Sequence, residues 1–211
     1  VSVAAVVVAA GRGVRFGGAK QFETLHDETV TAHSVRAARS VASRVVLVVP
    51  SSYDGNGEGA DVVVIGGDTR ASSVRAGLVQ CGEADVIVVH DAARPLASVA
   101  LFHAVVDAVR AGADAAVPGL VITDTVKRVT RDGPLVIVHE TVERDELMTV
   151  QTPQAFSRDA LARAHANSSE ATDDAALVEA WGGRVVVEID NCKITSRDDL
   201  EKIVTSLRGE K

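Results

Sequence analysis

The sequence predicts an α/β fold built on a mainly parallel, twisted sheet with helices against it. Three observations predict this. Short apolar runs alternate with stretches of helical spacing through the first 118 residues, which is the rhythm of β-α-β units. The first run, residues 3–9, is apolar without alternation, as in a strand covered on both faces. The chain is 46% apolar but only 3% aromatic, enough to fill a sizeable core made mostly of Val, Ala and Leu.

The elements follow in order. Residues 3–9 form the first strand. Residues 29–42 set Val30, Ala38, Val41 and Ala42 near helical spacing, with Val35 between. Residues 44–49 form a strand stopped by Pro50, and 51–60 a polar, glycine-rich loop. Residues 61–65 form the third strand; 71–81 form a helix through Val74, Leu78 and Cys81. Residues 85–90 are a strand, 98–111 a helix and 114–118 a strand. With right-handed crossovers, ligands belong at the carboxyl ends of such strands, near the point where strand order reverses. After Leu120 the rhythm breaks. Residues 125–130, the turn Arg131-Asp132-Gly133-Pro134 and residues 135–139 read as a β-hairpin, either a dimer arm or a surface decoration. The pattern resumes with 149–156, helices at 158–166 and 173–181, a strand at 184–189 and a helix at 196–207, where Ser196 is an N-cap with Asp199 at N3. Thr172 reads as the cap of the 173–181 helix, with Asp173 and Asp174 at its positive end. The expectation is one domain, 1–211, with the arm at about 120–147.

Composition excludes several functions. The net charge is −7, which argues against a broad duplex-binding surface. Few aromatics are available for base stacking. No apolar run reaches the length of a membrane helix. Cys81 and Cys192 lie in no metal spacing and read as reduced, buried thiols of a cytoplasmic protein. No nucleic acid or membrane partner is expected.

The stretch VVVAAGRGVRFGGAKQF, residues 6–22, is the exception to the acidic balance. It holds four glycines, three bases and no carboxylate. Gly11-Arg12-Gly13-Val14-Arg15-Phe16 begins like a dinucleotide fingerprint, but Phe16 stands where Gly or Ala is needed. Gly13 and Gly18 have the gap of a Walker loop, but Ala19 precedes Lys20 and Gln21 replaces Ser or Thr. A different kind of phosphate loop remains, in which backbone N–H groups wrap an anion and Arg15 and Lys20 add full charges. A zinc site at His90 and Asp91 lacks further ligands at suitable spacing, and His90 reads as structural.

Four further stretches complete a set: GGDTRASSV at 66–74, VHDAARP at 89–95, DTVKR at 124–128 and VQTPQAF at 150–156. With AAGRGVRFGGAKQF at the start, the chain resembles the 2-C-methyl-D-erythritol 4-phosphate cytidylyltransferase family across nearly its whole length. Ribitol-5-phosphate cytidylyltransferase is the related alternative. The resemblance implies a Rossmann-like nucleotidyltransferase fold, CTP as substrate, Mg²⁺ or another divalent cation, and a homodimer joined through the hairpin arm. The reaction implied joins CTP and methylerythritol phosphate into the CDP-alcohol and releases pyrophosphate.

The resemblance also assigns residues. Ala9, Ala10 and Gly11 lead the phosphate loop. Arg15 and Lys20 match the family's basic pair on the phosphates, although Phe16 and Ala19 depart from the usual pattern. Gly67 and Asp68 meet the cytosine with Ser73. Asp91 touches sugar or polyol hydroxyls near the metal, which the CTP phosphates mainly hold, and Ala92 lines the nucleotide. Arg94 faces the second substrate. Thr125, Arg144, Thr152 and Lys193 match positions around the polyol phosphate, Arg144 reaching in from the other subunit and Lys193 reaching back to phosphate.

Overall fold

The computed structural model describes residues 1–11, 13, 17–166 and 170–189. Arg12, Arg15 and Phe16, together with Cys192, Lys193 and the expected helix with its Ser196 cap, lie outside the described residues. The chain divides into two compact units. One comprises Val1–Pro118 and Gln151–Glu188; the other includes Gly119–Val150.

In chain order the strands are β1 (Val3–Val8), β2 (Thr24–Leu25), β3 (Glu28–Thr29), β4 (Arg44–Val49), β5 (Val62–Ile65), β6 (Val86–Asp91), β7 (Ala115–Val121), β8 (Val126–Asp132), β9 (Leu135–Val142), β10 (Met148–Val150), β11 (Gln154–Ser157) and β12 (Val185–Ile189). The helices are α1 (Val30–Arg39), α2 (Arg70–Leu78), α3 (Val99–Arg110), α4 (Arg158–His165) and α5 (Asp174–Ala180).

In the larger unit the sheet runs β7-β11-β6-β1-β4-β5, with β12 also on β7. β1 pairs in parallel with β4 and β6, and β4 with β5. The parallel core follows from burial on both faces. Ala5 and Val7 of β1 point to one side, where Val35 of α1 and Phe102, Val105 and Val106 of α3 cover them. Ala4 and Val6 point to the other, where Val74 of α2, Leu161 of α4 and Val178 of α5 lie. Each valine so buried stabilises the fold by roughly 1.5–3 kcal/mol relative to leaving it exposed. Helix α2 comes close to the sheet because Gly77 has no side chain. A Cβ there would stand 2.5 Å from Val6 Cγ1.

The helix starts have side-chain causes. Thr29, Thr69, Ser98, Ser157 and Asp173 each accept a backbone N–H as N-caps. Asp173 thus takes the capping role expected of Thr172. The helix expected over 71–81 closes earlier, at Leu78, because Gln80 and Cys81 bond back to Gly77 and Leu78 in a tighter turn. Cys81 is a free, buried thiol, and burial pushes its pKa up to about 11. The 149–156 stretch is two strands. Pro153 has no N–H to donate to a ladder, and the pairing changes around it. β11 lies antiparallel between β6 and β7, an antiparallel intrusion the sequence does not signal. Also unannounced is the small β2–β3 hairpin, with His26 at φ 59° in its turn.

In the second unit, β10 pairs antiparallel with Gly119–Val121 of β7. β8 and β9 form the hairpin expected here, longer than its sequence signal, with Gly133 at φ 55° in the turn. The register shifts between Arg128 and Val129, so that Arg128 faces Glu140 and Val129 faces Val138, leaving His139 as the extra residue of a bulge. Among the described residues, no helix is long and apolar enough to cross a membrane.

Candidate active site

Within the larger unit, the carboxyl ends of β1, β5 and β6 and a 3-10 turn at Lys20–Phe22 enclose a cavity of about 770 Å³. Topology explains its place. β1 leads through α1 to β4 on one side; β6 leads through α3 to β7 on the other. Neighbouring strands whose connections leave in opposite directions open a crevice at their carboxyl ends. Val8 and Asp91 are partners across β1 and β6, so the two loops that follow begin level.

Much of what the sequence marks converges here. Ala9, Ala10, Gly11, Lys20, Gly67, Asp68, Ser73 and Asp91 all line the cavity. Gly13 stands at φ +60°, and a Cβ there would lie 1.7 Å from the Gly18 carbonyl oxygen, so only glycine closes this loop. Ser73 is buried, and its hydroxyl donates to the Thr69 carbonyl at 2.9 Å with the Gly67 carbonyl at 3.3 Å. Toward the cavity it therefore has lone pairs to offer.

Other marked residues stand elsewhere. Ala92 is fully buried, its methyl packed in the core beside α1 and α3, and Ala93 takes its place on the wall. Arg94 stands beside Asp91, Nε to Oδ2 3.7 Å. Thr152 is buried behind the wall. Its Oγ1 accepts the Asp91 backbone N–H at 3.0 Å and lies 3.2 Å from His90 Nδ1. His90 Nε2 lies 3.2 Å from the Arg94 carbonyl, which can only accept. Burial pulls the His90 pKa down to about 4, so the ring is neutral near pH 7. The proton then sits on Nε2, and the Thr152 hydroxyl donates to Nδ1. This relay fixes the backbone at Asp91 and bears out a structural His90. Thr125 and Arg144 belong to the second unit, where Arg144 donates to the Thr123 carbonyl. Arg15 and Lys193 lie outside the described residues.

Two wall residues escaped the sequence reading. Arg70 bridges two carboxylates: Nε to Asp91 Oδ1 at 3.3 Å and Nη1 to Asp174 Oδ2 at 2.6 Å. Asp174, 1% exposed, also accepts from His165 Nε2 at 2.9 Å. Burial alone would raise the Asp174 pKa, but the His165 hydrogen bond and the Arg70 charge hold it below the usual carboxylate range. Burial likewise works against the Arg70 charge, yet Asp174 and Asp91 raise its pKa. Asp174 stands in the first turn of its helix as expected, and it is also the anchor of a buried ion pair. The second missed residue is Gln21, whose amide reaches back to the exit of β1. Its only signal was a polar residue between Lys20 and Phe22.

The carboxylates on the wall are Asp68 and Asp91, and among the described residues no group of three or more His, Cys, Asp or Glu could hold a metal ion. A divalent cation at this wall would have Asp68 or Asp91 as its protein carboxylate and would take its remaining ligands from elsewhere.

Comparison with known proteins agrees with this geometry. The family profile for "IspD: 2-C-methyl-D-erythritol 4-phosphate cytidylyltransferase" matches residues 3–208. The 2-C-methyl-D-erythritol 4-phosphate cytidylyltransferase of Streptomyces avermitilis is 45% identical over 204 residues, covering 87% of this chain and 82% of that protein. The bifunctional enzyme IspD/IspF of Clavibacter michiganensis is 45% identical over 199 residues, and there the match spans 86% of this chain but only 48% of that protein. The crystal structure of 2-C-methyl-D-erythritol 4-phosphate cytidylyltransferase from Thermus thermophilus superposes with a TM-score of 0.77 at 31% identity, covering 99% of this chain and 100% of that one.

Proposed function

This chain belongs to the 2-C-methyl-D-erythritol 4-phosphate cytidylyltransferase family, and from that premise we propose that it joins CTP to 2-C-methyl-D-erythritol 4-phosphate in isoprenoid precursor biosynthesis. The observation that carries the reading is the convergence of Lys20, the glycine loop, Gly67, Asp68, Ser73 and Asp91 on one cavity at the switch point of the sheet. The matched names favour methylerythritol phosphate over ribitol 5-phosphate as acceptor.

The chemistry needs little from side chains beyond charge and position. A phosphate monoester oxygen of the polyol phosphate attacks the α-phosphorus of CTP. The bond to the bridging oxygen breaks, and pyrophosphate leaves with its electron pair. The attacking oxygen is already ionised near pH 7, so no general base is required. The difficulty is bringing two polyanions together while charge builds on the α-phosphate and the leaving group, which makes catalysis a matter of positioning and electrostatic stabilisation. Lys20 and Arg15 hold the triphosphate and stabilise that charge. Ser73, with lone pairs toward the cavity, and the Gly67–Asp68 turn receive the cytosine. Ala92 shapes the nucleotide site from beneath through the loop it anchors. Arg94, Thr125, Lys193 and the partner subunit's copy of the arm, through Arg144, orient the polyol phosphate, and Thr152 serves it from behind the wall by holding the Asp91 backbone; bidentate recognition suits the arginines. Asp91 is the residue that would hold a Mg²⁺ brought with CTP, and the ion would supply positive charge to offset that of the phosphates.

The reading includes a single catalytic domain acting in the cytoplasm as a homodimer through the β8–β9 arm, which is supported by the apolar run exposed on β9. Pyrophosphate release from CTP and Mg²⁺ tests the whole. Methylerythritol phosphate is expected to support turnover, with ribitol 5-phosphate, UTP and ATP far weaker. Equal rates with ribitol 5-phosphate would reassign the acceptor, and no release from CTP with either polyol would end the reading.

A further inference from the structure

Gln21 is 4% exposed, yet it lies on the cavity wall directly after Lys20. Its side-chain amide nitrogen donates to the Ala9 carbonyl at 2.7 Å and to the Gly11 carbonyl at 2.7 Å. Both partners can only accept, so the orientation of the amide is settled by chemistry: the NH₂ faces the exit of β1. The backbone carbonyl of Gln21 in turn accepts from the Thr31 hydroxyl at 2.6 Å, and Thr31 is fully buried near the start of α1. One residue therefore ties together the end of the central strand, the 3-10 turn that carries Lys20, and the first helix.

What this tie encloses is the phosphate loop. The chain departs the strand at Gly11 and is back beside it at Lys20, and Gln21 fastens the return to the departure. A lysine on a flexible stem contributes most when its backbone is fixed beforehand, because the ordering cost is then met in folding and not at each turnover. No other side chain fills the position. Asn is one methylene too short to span both carbonyls. Glu would set an anion against two carbonyl oxygens. Leu would take the donor away from both carbonyls, and that of Ala9 is in a buried bond.

We propose that Gln21 is a positioning residue for cytidylyl transfer, closing the phosphate loop so that Lys20 is presented to the triphosphate. The proposal rests on the function proposed above. It distinguishes Gln21 from a residue that merely stabilises the fold, because a positioning residue acts through Lys20 and a stabilising one does not. The effect is therefore tested in a double-mutant cycle, with pyrophosphate release measured at saturating and limiting CTP.

Gln21→Leu is expected to lower kcat roughly 30-fold while the KM for CTP changes less than about 3-fold, since the interaction lost belongs mainly to the transition state. In a Lys20→Ala background the same substitution should cost no more than about 2-fold. Thr31→Val, which removes only the hydroxyl bond to the Gln21 carbonyl, should give a smaller fall of roughly 3-fold that likewise vanishes in Lys20→Ala. It serves as the readout if Gln21→Leu does not fold. Losses that multiply in the Lys20→Ala background, or a Gln21→Leu enzyme with wild-type kcat, overturn the positioning role alone. A folded Lys20→Ala enzyme at the wild-type rate overturns the reading of the site, and the role of Gln21 with it.

Discussion

β1 and β9 are both rich in valine, and they meet opposite fates. β1 has a strand on each edge and helices on each face, and its valines are buried. β9 has one partner, β8, and carries Leu135 at 63% and Val138 at 56% exposure. Hydrophobicity tells a strand to seek cover; connectivity decides who supplies it. β1 is covered by its own chain, and around its carboxyl end the chain builds a cavity. β9 is left with four consecutive exposed apolar residues, Leu135 to Val138, which alternate between the two faces of the hairpin. One region is finished by folding, and the other keeps its apolar side chains at the surface.

The sharpest way to test that division is at the finished end. Lys20→Ala should leave folding intact, since the side chain is exposed, and lower the pyrophosphate release rate by roughly 10²–10³-fold. The next effect lies in pH. His90 has its pKa pulled down to about 4 by burial, so between pH 6.5 and 4 the unfolded chain binds the extra proton. Its contribution is complete above about pH 6.5 and is lost as pH falls toward 4, by up to roughly 3 kcal/mol. Urea unfolding across that range should show a steeper acid loss in the natural chain than in His90→Gln; equal slopes would remove His90 from the account. At the unfinished end, Val136→Glu with Val138→Glu should weaken dimer formation by roughly 30-fold, the scale of a lost hot spot, with turnover falling only as dimers dissociate. Sedimentation equilibrium would show it, and an unchanged dimer would place the contact elsewhere. The smallest test is a pair of identical substitutions. Val6→Ala should cost roughly 2 kcal/mol in thermal unfolding, while Val138→Ala should stay within about 0.5 kcal/mol. Similar costs would erase the contrast.

The same contrast explains what the sequence made legible. The parallel core was readable because burial on both faces leaves an unbroken apolar run, as in residues 3–9 and 44–49. The glycine loop was readable because three bases without a carboxylate stand out in an acidic chain. The antiparallel β11 was not, because its four residues carry no pattern that separates the two pairing directions. Arg70 and Asp174 were not, because they lie 104 positions apart and each has an ordinary local role as the first residue of a helix. Gln21 was hidden for the same reason: its partners are carbonyls, and any residue has one.

The bulge at His139 sets how the outer half of the arm faces. Two residues of β9 stand against one of β8 there, so the ladder is interrupted and the strand bends and twists more strongly, while Arg128 keeps Glu140 and Val129 keeps Val138 across from it. Deleting His139 would keep these pairs and the turn while straightening the ribbon, so Val136 and Val138 would stay on their own flank but be carried in a new direction. A single codon therefore sets the aim of the arm apart from the chemistry it carries.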